Sequence, residues 1–388
     1  MAREPGGARV EDRWRRRDGS ETARAGRGKR WRVRYVDPAG RQRTESYDRK
    51  IDATRRAGEI TAQITRRRYI DPAAKVTVGE LYGIWEPIQR ATVKPKTAYD
   101  RASNWRLHVR DVWEGRNAAQ ITKTEVQAWL AAMVDRGAGY STVSHALDVL
   151  RRVLEVGLDS GALLSNPARG VKLPPKPRGG RVYLNVAQVE TLAGAVEDLA
   201  GENSALLVRV LAYTGLRWGE ATALRAGDVD LEARRLNVNR AVSTVGGKLV
   251  YGTPKTGRGR SVPFPDGLSE ALGVALEGLT KDGLVFRSAT GKALRASNWR
   301  NRVWAAALED TSGTVPSGVH IHDLRHTAAS LAISAGANVK AVQAMLGHSS
   351  AAMTLDTYAD LFPDDLDAVG EAMNDLISEG RRGTFRAV

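Results

Sequence analysis

Apolar and polar residues alternate along Trp31-Arg32-Val33-Arg34-Tyr35-Val36 and again along Gln42-Arg43-Thr44-Glu45-Ser46-Tyr47, with Pro38-Ala39-Gly40 between them. A period of two on both sides of a turn cluster predicts a strand–turn–strand ribbon with arginines on one face. Residues 51–68 then read as a helix. Ahead of the ribbon, residues 1–28 lack apolar periodicity and are rich in Arg and Gly, which predicts a flexible basic arm.

From Thr77 the period lengthens. Val78, Leu81, Tyr82 and Trp85, and later Val126, Trp129, Leu130 and Met133, recur at helical spacing. Ser141 is placed to cap a further helix striped by Val143, Ala146, Leu147, Leu150, Leu154 and Leu158, which Asn166-Pro167 stops. Residues 171–180, Val-Lys-Leu-Pro-Pro-Lys-Pro-Arg-Gly-Gly, read as a linker stiffened by prolines and freed at its end by glycines. Helices are expected near 186–200 and 204–213. A strand region follows over 236–265, broken at Gly246-Gly247 and at Thr256-Gly257-Arg258-Gly259, and helices return from Ser297. The pattern predicts an α+β chain, mainly helical, in three parts. These are a small β-sheet and helix module in 1–75, a helical domain in 76–170 and, after the linker 171–180, a mostly α domain with one small antiparallel sheet in 181–388.

Charge changes the picture. The chain carries a net charge of +15, and its 46 arginines outnumber 13 lysines. Arginine's planar fork matches phosphate oxygens, and an excess of positive charge points to a polyanionic partner, most simply nucleic acid. Residues 1–75 hold 22 Lys and Arg against 11 Asp and Glu, so the ribbon's Arg32, Arg34, Arg41 and Arg43 are candidate DNA contacts. There is no cysteine, which excludes disulfides, thiolate metal sites and a cysteine nucleophile. No apolar run is long enough to span a bilayer and no secretory signal is legible, so a cytoplasmic protein with no membrane partner is expected.

Four segments of the last domain carry candidate chemistry. In Thr214-Gly215-Leu216-Arg217-Trp218-Gly219-Glu220, a helix ends at Gly215 and Arg217 sits at the start of the next, where anions are favoured. Arg217 could equally form a structural ion pair with Glu220. Lys255 lies near the tip of a Gly-rich turn, either solvated or able to reach a DNA groove. In His320-Ile321-His322-Asp323-Leu324-Arg325-His326-Thr327, His322 and Arg325 share one helix face. His322 and His326 have zinc-like spacing, but Arg325 between them would repel a dication and no acidic ligand cluster is near, so no metal is expected. In the last segment, His348 follows the helix-ending Gly347, and Tyr358 closes Thr354-Leu355-Asp356-Thr357-Tyr358, a place where a tyrosine can also be core packing.

Taken together, the order Arg, Lys, His-x-x-Arg, His, Tyr resembles that of the tyrosine recombinase, or phage-type integrase, family. The local words Thr-Gly-Leu-Arg-x-Gly-Glu, His-Asp-Leu-Arg-His-Thr, Leu-Gly-His and Thr-x-x-Thr-Tyr are similar too. The resemblance is strong over the last domain. It is looser over 77–170, which looks like the family's core-site-binding domain, and over 30–70, which looks like its small arm-site-binding domain. It implies a site-specific recombinase in which Tyr358 attacks a DNA phosphate to give a 3′-phosphotyrosyl link. Arg217 and Arg325 would clamp the phosphate, His348 would hydrogen-bond it, and Lys255 would protonate the leaving 5′-oxygen. His322 would take the Tyr358 proton or hold a phosphate oxygen. It also implies no cofactor, double-stranded attachment sites as substrate, a homo-tetramer on DNA, and accessory bending or directionality proteins. An apolar stripe after the tyrosine (Leu361, Phe362, Leu366, Val369, Met373, Leu376) would pack on its own domain or dock on a neighbouring protomer. A type IB topoisomerase, a DNA-binding regulator without catalysis and a zinc hydrolase are the rival readings.

Overall fold

The two alternating runs form adjacent strands. In the computed structural model, which describes residues 7–38, 40–65, 76–176, 180–255, 257–361 and 366–381, β1 (Arg9–Asp12), β2 (Trp31–Val36) and β3 (Gln42–Tyr47) make an antiparallel sheet in that order. Val33 and Tyr35 point to one face and are buried against Ala53, Ala57 and Ile60 of α1 (Lys50–Thr65). The last three residues of the expected helix, 66–68, fall outside the described residues.

Strand β1 lies within the segment expected to be a flexible arm, and this corrects that expectation. Ala8 and Val10 pack on the α1 core, an alternation too short to read locally, and the backbone ladder and salt bridges to β2 and its approach hold the rest of the strand. Asp12 takes Arg30 at 2.8 Å and Glu11 takes Arg32 at 2.6 Å. Residues 13–30 also turn back on themselves, with Arg13 N donating to Arg30 O and Thr22 N to Trp14 O.

Next come α2 (Val78–Thr92), α3 (Pro95–Asn104), a π-helical turn (Trp105–Val109), α4 (Arg110–Trp113), α5 (Lys123–Asp135) and α6 (Tyr140–Asp159). Thr77–Glu80 and Thr122–Glu125 close capping boxes at the starts of α2 and α5. The cap of α6 is Gly139, not Ser141: the helix begins at Tyr140 and takes Ser141 into its first turn. Leu81, Trp113, Leu130, Leu150 and Leu154 centre the apolar core of this region. The start of the expected linker is tied down. Val171 and Leu173 pack on that core, and Gln127 exchanges two hydrogen bonds with the Lys172 backbone, at 2.9 and 3.0 Å.

The chain divides into two compact units, Met1–Arg178 and Gly179–Val388. In the second, α7 (Val186–Ala200) and α8 (Glu202–Thr214) pack side by side, and the short α9 (Trp218–Ala221) follows. Two small antiparallel sheets stand where one was expected. One joins β4 (Val229–Asp230), β5 (Arg235–Val238) and a later strand, β8 (Arg260–Pro263), while β6 (Ala241–Val245) and β7 (Lys248–Gly252) form a separate hairpin. The hydrophobic pattern could not show this split, because both sheets use the same alternation and only pairing separates them.

Helices complete the unit: α10 (Ser269–Leu276), α11 (Ala296–Trp299), a π-helical turn (Arg300–Trp304), α12 (Ala305–Asp310), α13 (Asp323–Ser334), α14 (Val339–Leu346), α15 (Ala351–Tyr358) and α16 (Leu366–Arg381). A core of Leu192, Val196, Leu207, Leu211, Leu236 and Phe286 holds α7, α8 and the larger sheet together. Helix α13 lies against α8. Of the apolar stripe after Tyr358, Leu361 packs beside Tyr358, and Met373 and Leu376 are more than half exposed. Phe362 and the side chains of Leu366 and Val369 fall outside the described residues. Among the described residues no helix is long and apolar enough to cross a membrane.

Candidate active site

Two glycine turns build the floor of the site. Gly215 ends α8 at φ +67°, and a Cβ there would stand 2.6 Å from Leu346 Cδ2. Gly347 ends α14 at φ +66°, and a Cβ there would stand 2.9 Å from Arg260 Cδ. Both positions therefore need glycine for conformation and for space.

Arg325, on α13 and 3% exposed, bridges the two turns. Its Nη1 donates to Gly215 O at 2.5 Å and its Nη2 to Leu346 O at 2.6 Å. These carbonyls close the C-terminal ends of α8 and α14, where the helix dipoles favour a cation. Burial, and then the neighbouring Arg217, lower the affinity of this guanidinium for its proton. An arginine remains charged at neutral pH even so.

Arg217 caps α9. Its backbone N–H donates to Glu220 Oε2 at 3.0 Å and its Nη1 to Oε1 at 2.9 Å, so the expected ion pair is present. The pair does not consume the arginine. Glu220, 1% exposed, is shared with Arg260 through bonds of 2.7 and 3.1 Å. Burial pushes the Glu220 carboxyl up, but the Arg260 bonds and charge, with Arg217 behind them, outweigh it and hold it at about 2. Two guanidiniums against one carboxylate leave a net positive charge beside Arg325. Arg260 also donates from Nε to Met345 O at 3.0 Å, which fixes the turn carrying His348.

Three imidazoles and the phenol line up above this floor. His322 precedes α13 and meets His326 edge-on, with ring centroids 5.3 Å apart. His326 in turn meets Tyr358, with Nδ1 2.8 Å from the phenol oxygen. His348 stacks parallel to Tyr358 at 6.4 Å, and its Nδ1 lies 2.9 Å from Thr354 Oγ1, which leaves Nε2 to face other partners. Tyr358, the last residue of α15, is 1% exposed, and burial pushes its hydroxyl up to about 12. Burial first, and then the nearby cations, hold His322 below its ordinary value. His326 and His348 are brought down to about 4, by burial first, with His322 next for the former and Arg325 for the latter.

The structure thus gathers Arg217, His322, Arg325, His348 and Tyr358. It places Lys255 on an exposed turn after β7, near enough for its charge to act on His322. Among the described residues no three His, Asp or Glu side chains are grouped to hold a metal ion.

The candidate arm contacts are arranged differently from one another. Arg32 and Arg34 share the sheet face opposite α1, but both reach Glu11. Arg43 pairs with Tyr35 in the register, so it lies on the α1 face, where it and Arg41 hold the buried Asp37. The expectation of one arginine face therefore holds for two of the four residues.

Sequence reasoning missed Arg260, and it weighed His326 only as a zinc partner. Helical spacing did place His326 on the face of His322, but its contact with Tyr358 crosses 32 residues and has no local signal.

The family model described as the phage integrase family matches residues 183–364. The integrase of Mycobacterium phage D29 is 28% identical over 363 residues, which cover 88% of this chain and 92% of that protein. Among solved structures, the Tn1549 transposon integrase in complex with a circular intermediate DNA superposes with a TM-score of 0.66 at 21% identity, over 77% of this chain and 99% of the other. A lambda integrase tetramer bound to a Holliday junction does so at 0.58 and 21%, over 82% and 93%. These two structures share the fold of this chain.

Proposed function

Because this chain belongs to the phage integrase family of tyrosine recombinases, we propose that it cuts and rejoins DNA at specific sites through a covalent bond between a backbone phosphate and Tyr358, so as to integrate and excise a mobile element. One observation carries the reading: a phenol with the His326 imidazole 2.8 Å from its oxygen and the His348 ring parallel to it at 6.4 Å, beside a site whose fixed charges are net positive. Phosphoryl transfer is mostly positioning plus electrostatic stabilisation, and such a site suits a phosphate without further chemistry.

The roles follow from the contacts. Arg325, immobilised by two helix-end carbonyls, and Arg217, braced by Glu220, hold the non-bridging oxygens. Each such donor is worth roughly 3–4 kcal/mol at the transition state, or 10²–10³ in rate. His348 donates from Nε2, since Thr354 engages its Nδ1. His322, beside the arginines, holds a phosphate oxygen. Lys255, on its exposed turn, protonates the leaving 5′-oxygen, and covalent catalysis through Tyr358 divides one hard displacement into two. The bond energy stays in the phosphotyrosyl link, so no nucleotide cofactor is needed.

DNA is the partner, and the protein works as a multimer on it. We infer a tetramer on paired attachment sites, in keeping with the lambda relative's assembly. Directionality and bending proteins would join it there. The helical region 76–170 would hold the core site. The sheet module in 1–75 would hold flanking arm DNA through the face of Arg32 and Arg34, and its deletion should weaken arm binding while leaving core binding intact.

A nicked duplex that loses its short 5′ fragment after cleavage traps the covalent step. The parent chain should accumulate a protein–DNA adduct and Tyr358→Phe should bind equally but form none. An adduct from that variant would reject Tyr358 as the nucleophile.

A further inference from the structure

We propose that His326 is a catalytic residue of this recombinase, the group that accepts the proton of Tyr358 as its oxygen attacks phosphorus and returns it when the tyrosine leaves. The inference rests on Tyr358 being the nucleophile. It adds a residue outside the Arg, Lys, His-x-x-Arg, His, Tyr set and leaves His322 to the phosphate.

Geometry comes first. A general base must stand within hydrogen-bond reach of the proton it removes. His326 Nδ1 stands 2.8 Å from the Tyr358 hydroxyl oxygen. His322 meets the His326 ring, and His348 runs parallel to the phenol at 6.4 Å between ring centres with its Nδ1 turned to Thr354. With the ring hydrogen on Nε2, Nδ1 offers its lone pair to the phenol.

Electrostatics then explains why the proton is borrowed rather than kept. Facing His326 are His322, Asp323 and Arg325 from its own helix region, Tyr358 from α15, and Arg181 from the segment leading into α7, whose guanidinium donates to Thr357 O. Burial and this mostly cationic ring keep the imidazole neutral, with a value of about 4, so it stands ready to accept. Tyr358 keeps its proton at rest, since burial raises it to about 12. As the Oη–P bond forms, the phenol proton becomes strongly acidic and the transfer turns favourable. An incoming phosphate also offsets the cations and strengthens the base.

The step balances. The Tyr358 Oη–H bond breaks and its proton goes to His326 Nδ1. The Oη–P bond forms as the P–O5′ bond breaks, and the leaving oxygen takes a proton from Lys255 Nζ. Rejoining runs in reverse: the attacking 5′-hydroxyl gives its proton to Lys255, and protonated His326 gives its own to the departing Tyr358 oxygen.

The test uses the full chain and single-turnover cleavage of a nicked duplex. His326→Asn keeps a side-chain atom near Nδ1 that can accept the phenol's hydrogen bond but cannot act as a base. It should bind DNA as the parent does and cleave at least about 10²-fold more slowly. Its rate should climb with hydroxide where the parent's is flat. Placing a fluorinated tyrosine of lower pKa at 358 should restore the variant far more than it helps the parent. Cleavage within threefold of the parent with the same pH profile would overturn the proposal and leave His326 as packing.

A second measurement needs no change at 326. A substrate with sulfur at the 5′-bridging position does not need Lys255 to protonate the leaving group, so only the nucleophile's proton is in flight. The parent should then still cleave measurably more slowly in D2O than in H2O, because a proton moves in the transition state. No isotope effect would overturn the proposal. Absence of any covalent adduct from the parent on the nicked duplex is a different outcome, and it would reject Tyr358 chemistry itself.

Discussion

Replacing Glu220 by Gln separates the brace of the site from its reactive groups. The carboxylate is 1% exposed and receives Arg217 at 2.9 Å and Arg260 at 2.7 and 3.1 Å. Its ionised form is favoured enough to bring the carboxyl from 4.5 to about 2, burial notwithstanding. At about 1.4 kcal/mol per pH unit, that difference corresponds to roughly 3 kcal/mol. The substitution removes this term and leaves two guanidiniums facing each other, so a loss of about 3 kcal/mol is expected at pH 7. The sign follows from linkage. A folded-state value below the unfolded one stabilises above the unfolded value, and the contribution fades as pH falls from about 4.5 toward about 2. Urea unfolding of parent and variant, compared across that window, reads the effect directly, because the other carboxylates cancel in the difference. A gap near 3 kcal/mol at pH 7 that shrinks in step with pH below 4.5 supports the account. A gap under about 1 kcal/mol, or one indifferent to pH, would show that Glu220 does not brace Arg217.

Gly347→Ala should cost about 1–3 kcal/mol of stability, because φ is +66° and the new Cβ would stand 2.9 Å from Arg260 Cδ; calorimetry checks it, and an unchanged melting temperature would contradict the cramped turn. His326 and His348 have folded values near 4, below the unfolded value near 6.5, so the unfolded chain binds more protons between these and stability should fall as pH drops from 6.5 to 4. His348→Asn should flatten that slope in unfolding curves, and an unaltered slope would refute the assignment. Strand cleavage should survive a chelator, since Arg217 and Arg325 supply the charge that a metal ion would otherwise bring; a stringent metal requirement in the nicked-duplex assay would contradict this.

Where hydrophobic period determines structure, the sequence was readable. The β2–β3 ribbon, the stripes of α2, α5 and α6, and the glycine ends of α8 and α14 all follow from local spacing. The same holds for Arg217 and Glu220, which are three residues apart and meet across the first turn of α9. Structure made by distant partners was not readable. Strand β1 is held by its ladder to β2, by Val10 on the α1 core and by ion pairs of Glu11 and Asp12 with Arg32 and Arg30, all distant in sequence. Arg260 looks like one more basic residue of a hairpin until Glu220, 40 residues earlier, and Met345 O, 85 later, come to it. His326 looks like the second half of a metal motif until α15 brings Tyr358 to its ring. Likewise, alternation in Arg41, Arg43 and Arg34 did not reveal that a buried aspartate holds two of them.

The most direct measurement is to digest the adduct formed on a nicked duplex and sequence the DNA-linked peptide by mass spectrometry. The account predicts one modified residue, Tyr358, joined to a 3′-phosphate, with a free 5′-hydroxyl on the released strand. A link through any other side chain, or to a 5′-phosphate, would contradict it.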